Sequence, residues 1–133
     1  MESKVASQFL EDLARTANVR DYKAHMDLIS KKVNLFGVPG FEVIGYEDWA
    51  RQCRHELETG LLQRVSYRGL KVQVRAPARI MLKTVETVEG SDATVRTLGV
   101  EMVIEKEGDG KWRLTQERIL SHQEMAHDGL MPG

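Results

Sequence analysis

Two periods alternate along the chain. Between residues 4 and 17, Val5, Phe9, Leu10, Leu13 and Ala17 recur three and four apart, with Glu11, Asp12 and Arg15 opposite them, and this spacing predicts an amphipathic helix. A shorter helix is expected from Asp21 to Ser30, its inner face formed by Tyr22, His25, Met26 and Ile29. The segment KVNLFG then has the length and apolar content of a strand, VPG reads as a turn, and FEVIG as the partner of a hairpin. The helical period returns from Tyr46 to Leu62, with Glu47 and Asp48 in the first turn, where the helix dipole favours negative charge. Beyond Gln63 the pattern is that of strands. Val65 and Tyr67 alternate, as do Leu70, Val72 and Val74, with a parity switch at Gly69 that predicts a bulge. Ile80 to Gly90 forms a second strand, Thr94 to Ile104 a third and WRLTQERIL a fourth, entered through the DG turn at 109 and 110.

The order is helix, helix, short hairpin, helix, then four long strands. This predicts an α+β fold, with three N-terminal helices packed on one face of a curved, mostly antiparallel sheet. One domain is expected over 1–121, followed by a polar tail over 122–133 that frays. The 133 residues suffice for one core. The 19 Lys and Arg against 20 Asp and Glu are interspersed, so no basic field favours nucleic acid or an anionic membrane. No apolar run approaches membrane-spanning length, and the charged, amphipathic N-terminus does not read as a secretory signal. Cys53 is the single cysteine, so an intrachain disulfide is impossible, and a cytoplasmic protein is expected. Gly37, Gly40 and Gly45 match neither GxGxxG nor GxxxxGK, so FGVPGFEVIGYEDW reads as a turn feeding a helix and not as a phosphate loop.

This order, the GFEVIGYEDW step and the closing GDGKWRLTQERI resemble the nuclear transport factor 2-like superfamily over essentially the whole chain. The group includes SnoaL-like polyketide cyclases, ketosteroid isomerase and scytalone dehydratase. The resemblance implies a cone in which a bent sheet and helices enclose an apolar cavity, and on the habit of the group a homodimer is expected. It leaves function open, because the fold hosts enzymes, binding modules and assembly domains.

Three-residue turns would place Glu86 opposite Arg96, Thr84 opposite Leu98, Leu82 opposite Val100, Gln116 opposite Met102 and Arg118 opposite Val100. Thr84, Glu86, Arg96, Gln116 and Arg118 would then be polar positions on an apolar face. A guanidinium at Arg118 would need a carboxylate, either Glu86 or an anionic ligand. Alternatively, Glu86 and Arg96 form a solvated rim pair and Arg118 faces a dimer interface. His25 is the candidate catalytic base, or else a core-edge histidine bonded to a carbonyl or to Tyr46. Tyr46, Trp49 and Cys53 form a helical stripe that belongs to the core or lines the cavity. Cys53 is expected to be buried and inert. No metal site is expected, since His122 and His127, beside Glu124 and Asp128, fit no ligand spacing.

The enzymes of the family do not map onto these residues. The stretch corresponding to the catalytic carboxylate of ketosteroid isomerase offers only Glu42, and no aspartate lies between Asp92 and Asp109 to supply that enzyme's protonated oxyanion donor. Only His25 is placed to match the two pocket histidines of scytalone dehydratase. The expectation is a binding protein for a small, partly apolar ligand, with an anionic group as one option. The ligand-binding candidates are Tyr22, His25, Tyr46, Trp49, Thr84, Gln116 and Arg118. A cofactor-independent isomerase, dehydratase or cyclase, and a non-catalytic association module, are the alternatives. No cofactor is expected.

Overall fold

The computed structural model of the protein describes residues 3–130. Nine elements follow in order: α1 (Ser3–Asn18), α2 (Tyr22–Met26), β1 (Ile29–Phe36), α3 (Tyr46–Glu58), β2 (Leu62–Ala76), β3 (Arg79–Gly90), β4 (Val95–Lys106), β5 (Trp112–Ile119) and α4 (His122–His127). The strands make one sheet in the order β1-β5-β4-β3-β2, antiparallel except where β1 runs parallel to β5. The α+β reading holds. The first three helices cover one face, called inner below, and the short α4 lies on the other, outer face.

Helix α1 buries Ala6, Phe9, Leu10, Leu13 and Ala17, while Val5 turns partly outward. Its last residue, Asn18, does more than end it. The side-chain amide donates to the Val65 carbonyl at 3.0 Å and accepts from the Val65 amide at 2.8 Å, so it takes the place of a neighbouring strand at the edge of β2. Helix α2 is shorter than its apolar spacing predicts, because Ile29 and Ser30 already belong to β1. Asp21 caps it, accepting from the Ala24 amide.

The expected hairpin of KVNLFG with FEVIG does not form. Strand β1 takes its ladder from β5, and FEVIG keeps a single bridge between Leu35 and Ile44. Parallel pairing across the chain satisfies the same backbone groups that a local hairpin would, and local pattern does not separate the two. Helix α3 starts at Tyr46 as expected but stops at Glu58, since Gly60 adopts φ +75 and Leu62 opens β2.

The bulge expected at Gly69 is present, with a register shift between Arg68 and Lys71. The β3–β4 loop is longer than three residues: Glu86 lies opposite Leu98, Thr84 opposite Val100 and Leu82 opposite Met102. This moves the ladder by two positions, and an even shift leaves every side chain on its expected face.

The last hairpin departs by one position, with larger consequences. Ile104 pairs with Leu114, but Val103 pairs with Gln116, so Thr115 is an extra residue, a bulge. Its hydroxyl is within reach of the Val103 carbonyl at 3.2 Å and Glu105 Oε2 at 3.1 Å. From there on the faces exchange: Glu117 lies opposite Met102 on the inner face, and Arg118 opposite Glu101 on the outer one.

Residues expected to fray form α4. Ser121 and Glu124 make a reciprocal capping box. At the other end Gly129, at φ +70, closes a Schellman turn in which the Leu130 amide donates to the Met125 carbonyl and the Gly129 amide to that of Ala126. Leu120, Met125 and Leu130 pack on Val85, a second small core on the outer face. Lys83 and Asp128 pair at 2.7 Å, each only 13% exposed. Residues 131–133 of the expected tail lie outside the described residues.

The helix sits in a notch at Gly99, where a Cβ would fall 2.7 Å from Met125 Cγ. Gly99→Val is therefore expected to lower unfolding stability by about 1–3 kcal/mol. Adding Met125→Ala should recover part of the loss in denaturant titrations, and a purely additive double variant would contradict the notch.

Candidate functional site

The inner face is apolar through its centre, with Ile80, Leu82, Val100, Met102, Ile104 and Leu114 packed under the buried residues of α1, α2 and α3. Polar groups interrupt it in one region. Tyr67 on β2 lies opposite Glu86 on β3 and donates its hydroxyl to Glu86 Oε2 at 3.0 Å. Glu117 enters the same region from β5, 8% exposed. Its carboxyl makes no hydrogen bond among the described residues. No fully sealed side-chain oxygen or nitrogen lacks a partner among them, so the Glu117 carboxyl oxygens keep a marginal contact with solvent. Tyr46, Trp49, Leu98 and the stripe of Cys53 and Leu57 pack against the same core.

Electrostatics follow from the burial. Loss of solvent pushes the Glu117 carboxyl well above the ordinary carboxylate range, and the neighbouring Glu86 pushes it further. Burial also raises Glu86, and Glu56 of α3 adds to that, against the lowering effects of the Tyr67 hydroxyl and of Arg96. The Tyr67 phenol is raised well above its usual value by burial first and then by the two glutamates. Glu117 is thus a carboxyl that holds its proton where a surface carboxyl has lost it. It can donate to a bound oxygen or, once ionised, accept a proton.

The expected site residues are dispersed. Thr84 is fully buried and donates its hydroxyl to the Arg68 carbonyl at 2.8 Å, beside the Gly69 bulge. Gln116 lies opposite Val103 and Asn34 on the outer face. Arg118 also lies there, bound to Glu101 at 3.3 Å and to Glu124 of α4 at 2.8 Å. The inner-face register assumed for both is corrected by the Thr115 bulge, and the guanidinium that argued for an anionic ligand is turned away from the helices. His25 bonds through Nδ1 to the Thr16 hydroxyl of α1 at 2.8 Å. That hydroxyl is also placed to donate to the Asp12 and Leu13 carbonyls, so the histidine ties α2 to α1. Burial lowers its pKa to about 4, despite a bond to Leu13 that acts the other way. Cys53 is buried, its thiol raised by burial to about 12.

Tyr22 and Tyr46 line a different feature, an open groove of about 1080 Å³ along α2, β1, the start of α3 and the β4–β5 turn. Its cations are engaged in part: Arg113 meets Asp27, Glu107 and Asp109, and Lys111 meets Asp27. Tyr22 also has the Arg54 guanidinium over its ring at 5.8 Å. His25, Trp49, Thr84, Gln116 and Arg118 are not part of this groove. Among the described residues no group of three or more histidine, cysteine or acidic side chains is placed to hold a metal, and no helix is long and apolar enough to cross a membrane.

Alternation of apolar positions placed Gln116 and Arg118 inward and hid Glu117 between them. One signal was present: the apolar positions of β5 change parity between Leu114 and Ile119, as a bulge requires. The proximity of Tyr67 to Glu117 has no local signal, because β4 and β3 separate their strands.

Residues 6–119 match the SnoaL-like domain family. None of the curated proteins compared matches the chain. Among solved structures, a nuclear transport factor 2-like protein of unknown function from Shewanella oneidensis superposes with TM-score 0.72 at 14% identity, over 90% of this chain and 98% of that one. A nuclear transport factor 2-like protein from Rhodospirillum rubrum, described as of unknown function in nutrient uptake, gives 0.70 at 16%, over 85% and 94%. A protein from Novosphingobium aromaticivorans, provisionally assigned as a scytalone dehydratase, gives 0.71 at 10%, over 89% and 82%. At these identities the likeness is one of fold.

Two opposed pH effects on stability follow. His25 has a folded pKa of about 4 against 6.5 for a freely solvated histidine, so the unfolded chain takes up its proton first. The stability is present above about pH 6.5 and is lost as the pH falls toward 4, by up to about 3 kcal/mol. Denaturant titrations of His25→Gln should lack that component. Glu117 acts with the opposite sign: its raised folded pKa costs nothing below 4.5, the value of a freely solvated glutamate, and costs progressively more as the pH rises above it. Glu117→Gln should therefore melt higher than the parent at pH 8, by about 4 °C for each kcal/mol relieved. A lower melting temperature would show that the carboxyl has a stabilising partner.

Proposed function

The chain belongs to the SnoaL-like domain family, and we propose that it binds a small, largely apolar molecule between α3 and the inner face of the sheet, against Tyr67, Glu86 and Glu117. One observation carries the reading. The Glu117 carboxyl is buried to within a marginal contact with solvent and has no hydrogen-bond partner among the described residues, although removing a carboxyl from water without one is costly. A residue kept at such a cost supplies a contact that the protein alone does not complete. The apolar walls suit this role, since small-molecule sites combine greasy linings with a few convergent polar groups.

A second reading, a proton-transfer enzyme working without a cofactor, is favoured by the pairing of that carboxyl with the Tyr67–Glu86 hydrogen bond. Glu117 would move the proton and the phenol would steady the developing oxygen charge. His25 is left out of both readings, because its one bonded ring nitrogen faces Thr16.

Calorimetric titration with apolar compounds of up to two rings, chosen by thermal shift, tests the site. Glu117→Leu is expected to weaken binding about tenfold or more while leaving the melting temperature unchanged or higher. Equal affinity in the two proteins would place the ligand elsewhere, the α2–β1 groove being the first alternative. For the enzymatic reading, Glu117→Gln should retain binding and lose turnover about a hundredfold.

A further inference from the structure

The charge inventory around Glu117 narrows what the proposed site can hold, if the binding reading above is right. Glu117 comes from β5, Glu86 from β3 and Glu56 from α3, with the Tyr67 phenol from β2. One cation acts on this group among the described residues, Arg96 from β4, at an exposed position beside Glu86. Three of the basic residues that flank it in sequence are engaged elsewhere. Arg118 holds Glu101 and Glu124 on the outer face, Lys83 holds Asp128, and Arg54 bonds Glu58. The Glu117 carboxyl, 8% exposed, has no hydrogen-bond or ion-pair partner among the described residues.

Three classes of ligand can be compared on these groups. An anion would add to a repulsion that already raises both glutamates. A neutral molecule would leave the repulsion as it is. A cation would relieve it and complete the hydrogen bonding of Glu117, where burial leaves little water to screen the attraction. Trp49 and Tyr67, packed against the same core, offer aromatic surface of the kind that attracts an ammonium group. Among the described residues no group of three or more ligands converges for a metal ion, and the apolar surroundings suit a charge carried on an organic body.

We propose that this site takes an organic ammonium compound, a protonated amine on an apolar skeleton, whose N–H donates to the Glu117 carboxylate beside the Tyr67–Glu86 pair. Burial and the neighbouring Glu86 hold the proton on Glu117 to higher pH than on a freely solvated glutamate, and the free amine carries its own at neutral pH. Binding as an ion pair displaces the Glu117 proton to solvent, up to about one per ligand bound. Affinity therefore rises with pH until the amine itself begins to lose its charge. The groups facing Glu117 that share in this titration are Glu86 and Tyr67, and Glu56 and Arg96 act through Glu86.

The test uses 2-phenylethylamine, 2-phenylethanol and 3-phenylpropanoate in isothermal titrations at pH 6 and pH 8, in buffers of different ionisation enthalpy. The amine is expected to bind about tenfold or more tightly than the alcohol at pH 8, with the carboxylate weaker than either. Its affinity should rise from pH 6 to pH 8 with release of a proton, and Glu117→Gln should reduce it to the level of the alcohol without proton release. If the alcohol equals or exceeds the amine in the parent protein, and Glu117→Gln still weakens it, the preference for cations is overturned while the site stands. If none of the three binds, or Glu117→Gln changes nothing, the site itself is overturned.

Discussion

One extra residue in the last hairpin decides what this protein presents to its interior. Thr115 has no counterpart on β4, and beyond it each side chain of β5 faces opposite to the alternation that precedes it. A strand whose period is two has no intermediate state: a shift of one position exchanges the whole set of faces. The segment Gln116, Glu117, Arg118 could have sent a guanidinium and an amide inward. It sends a carboxyl.

The exchange has matching effects on the two sides of the sheet. On the inner face it sets Glu117 near Glu86 and Tyr67, where burial and the charge of Glu86 hold the Glu117 proton to higher pH than water would. On the outer face it frees Arg118 to meet Glu101 and Glu124, and Glu124 is also Ser121's partner in the α4 capping box. The Arg118 guanidinium holds the Glu124 carboxyl down to about 2, so the cap remains charged in all but strong acid. The notch at Gly99 and the ion pair of Lys83 with Asp128 complete the seat of this helix. The bulge thus joins an acidic interior to a docked C-terminus through a single change of parity.

Energetically the two sides differ in kind. The outer pairs are partly exposed and each contributes little by itself, but they act where Met125, Leu120 and Leu130 already bury apolar surface. The inner carboxyl works against folding at neutral pH, since nothing among the described residues offsets its desolvation. Such local conflict between stability and residue choice is what the proposed contact with a ligand would explain. His25 illustrates the contrast. It too is partly buried with a displaced pKa, yet its bonded nitrogen finds Thr16 and its role is to join two helices.

The amino-acid sequence by itself determined the helices α1 and α3, the strands β2 to β5, the bulge at Gly69 and the segregation of the first three helices to one sheet face. Each is written in a local period or a local breaker. It did not determine that β1 would pair in parallel with β5, because a strand's pattern states which face is apolar and not which neighbour it joins. Nor did it show that the polar C-terminus would dock, since Met125 and Leu130 bury their side chains only against Val85 and the space at Gly99. The site was divided in the same way. Glu86 stood out as a polar position on an apolar face, whereas Tyr67 and Glu117 became part of it only through the ladders that bring β2, β3 and β5 together. Alternation can be read from one strand, but the parity that turns it into a direction depends on hydrogen bonds to the strand beside it, and only the tertiary structure supplied those.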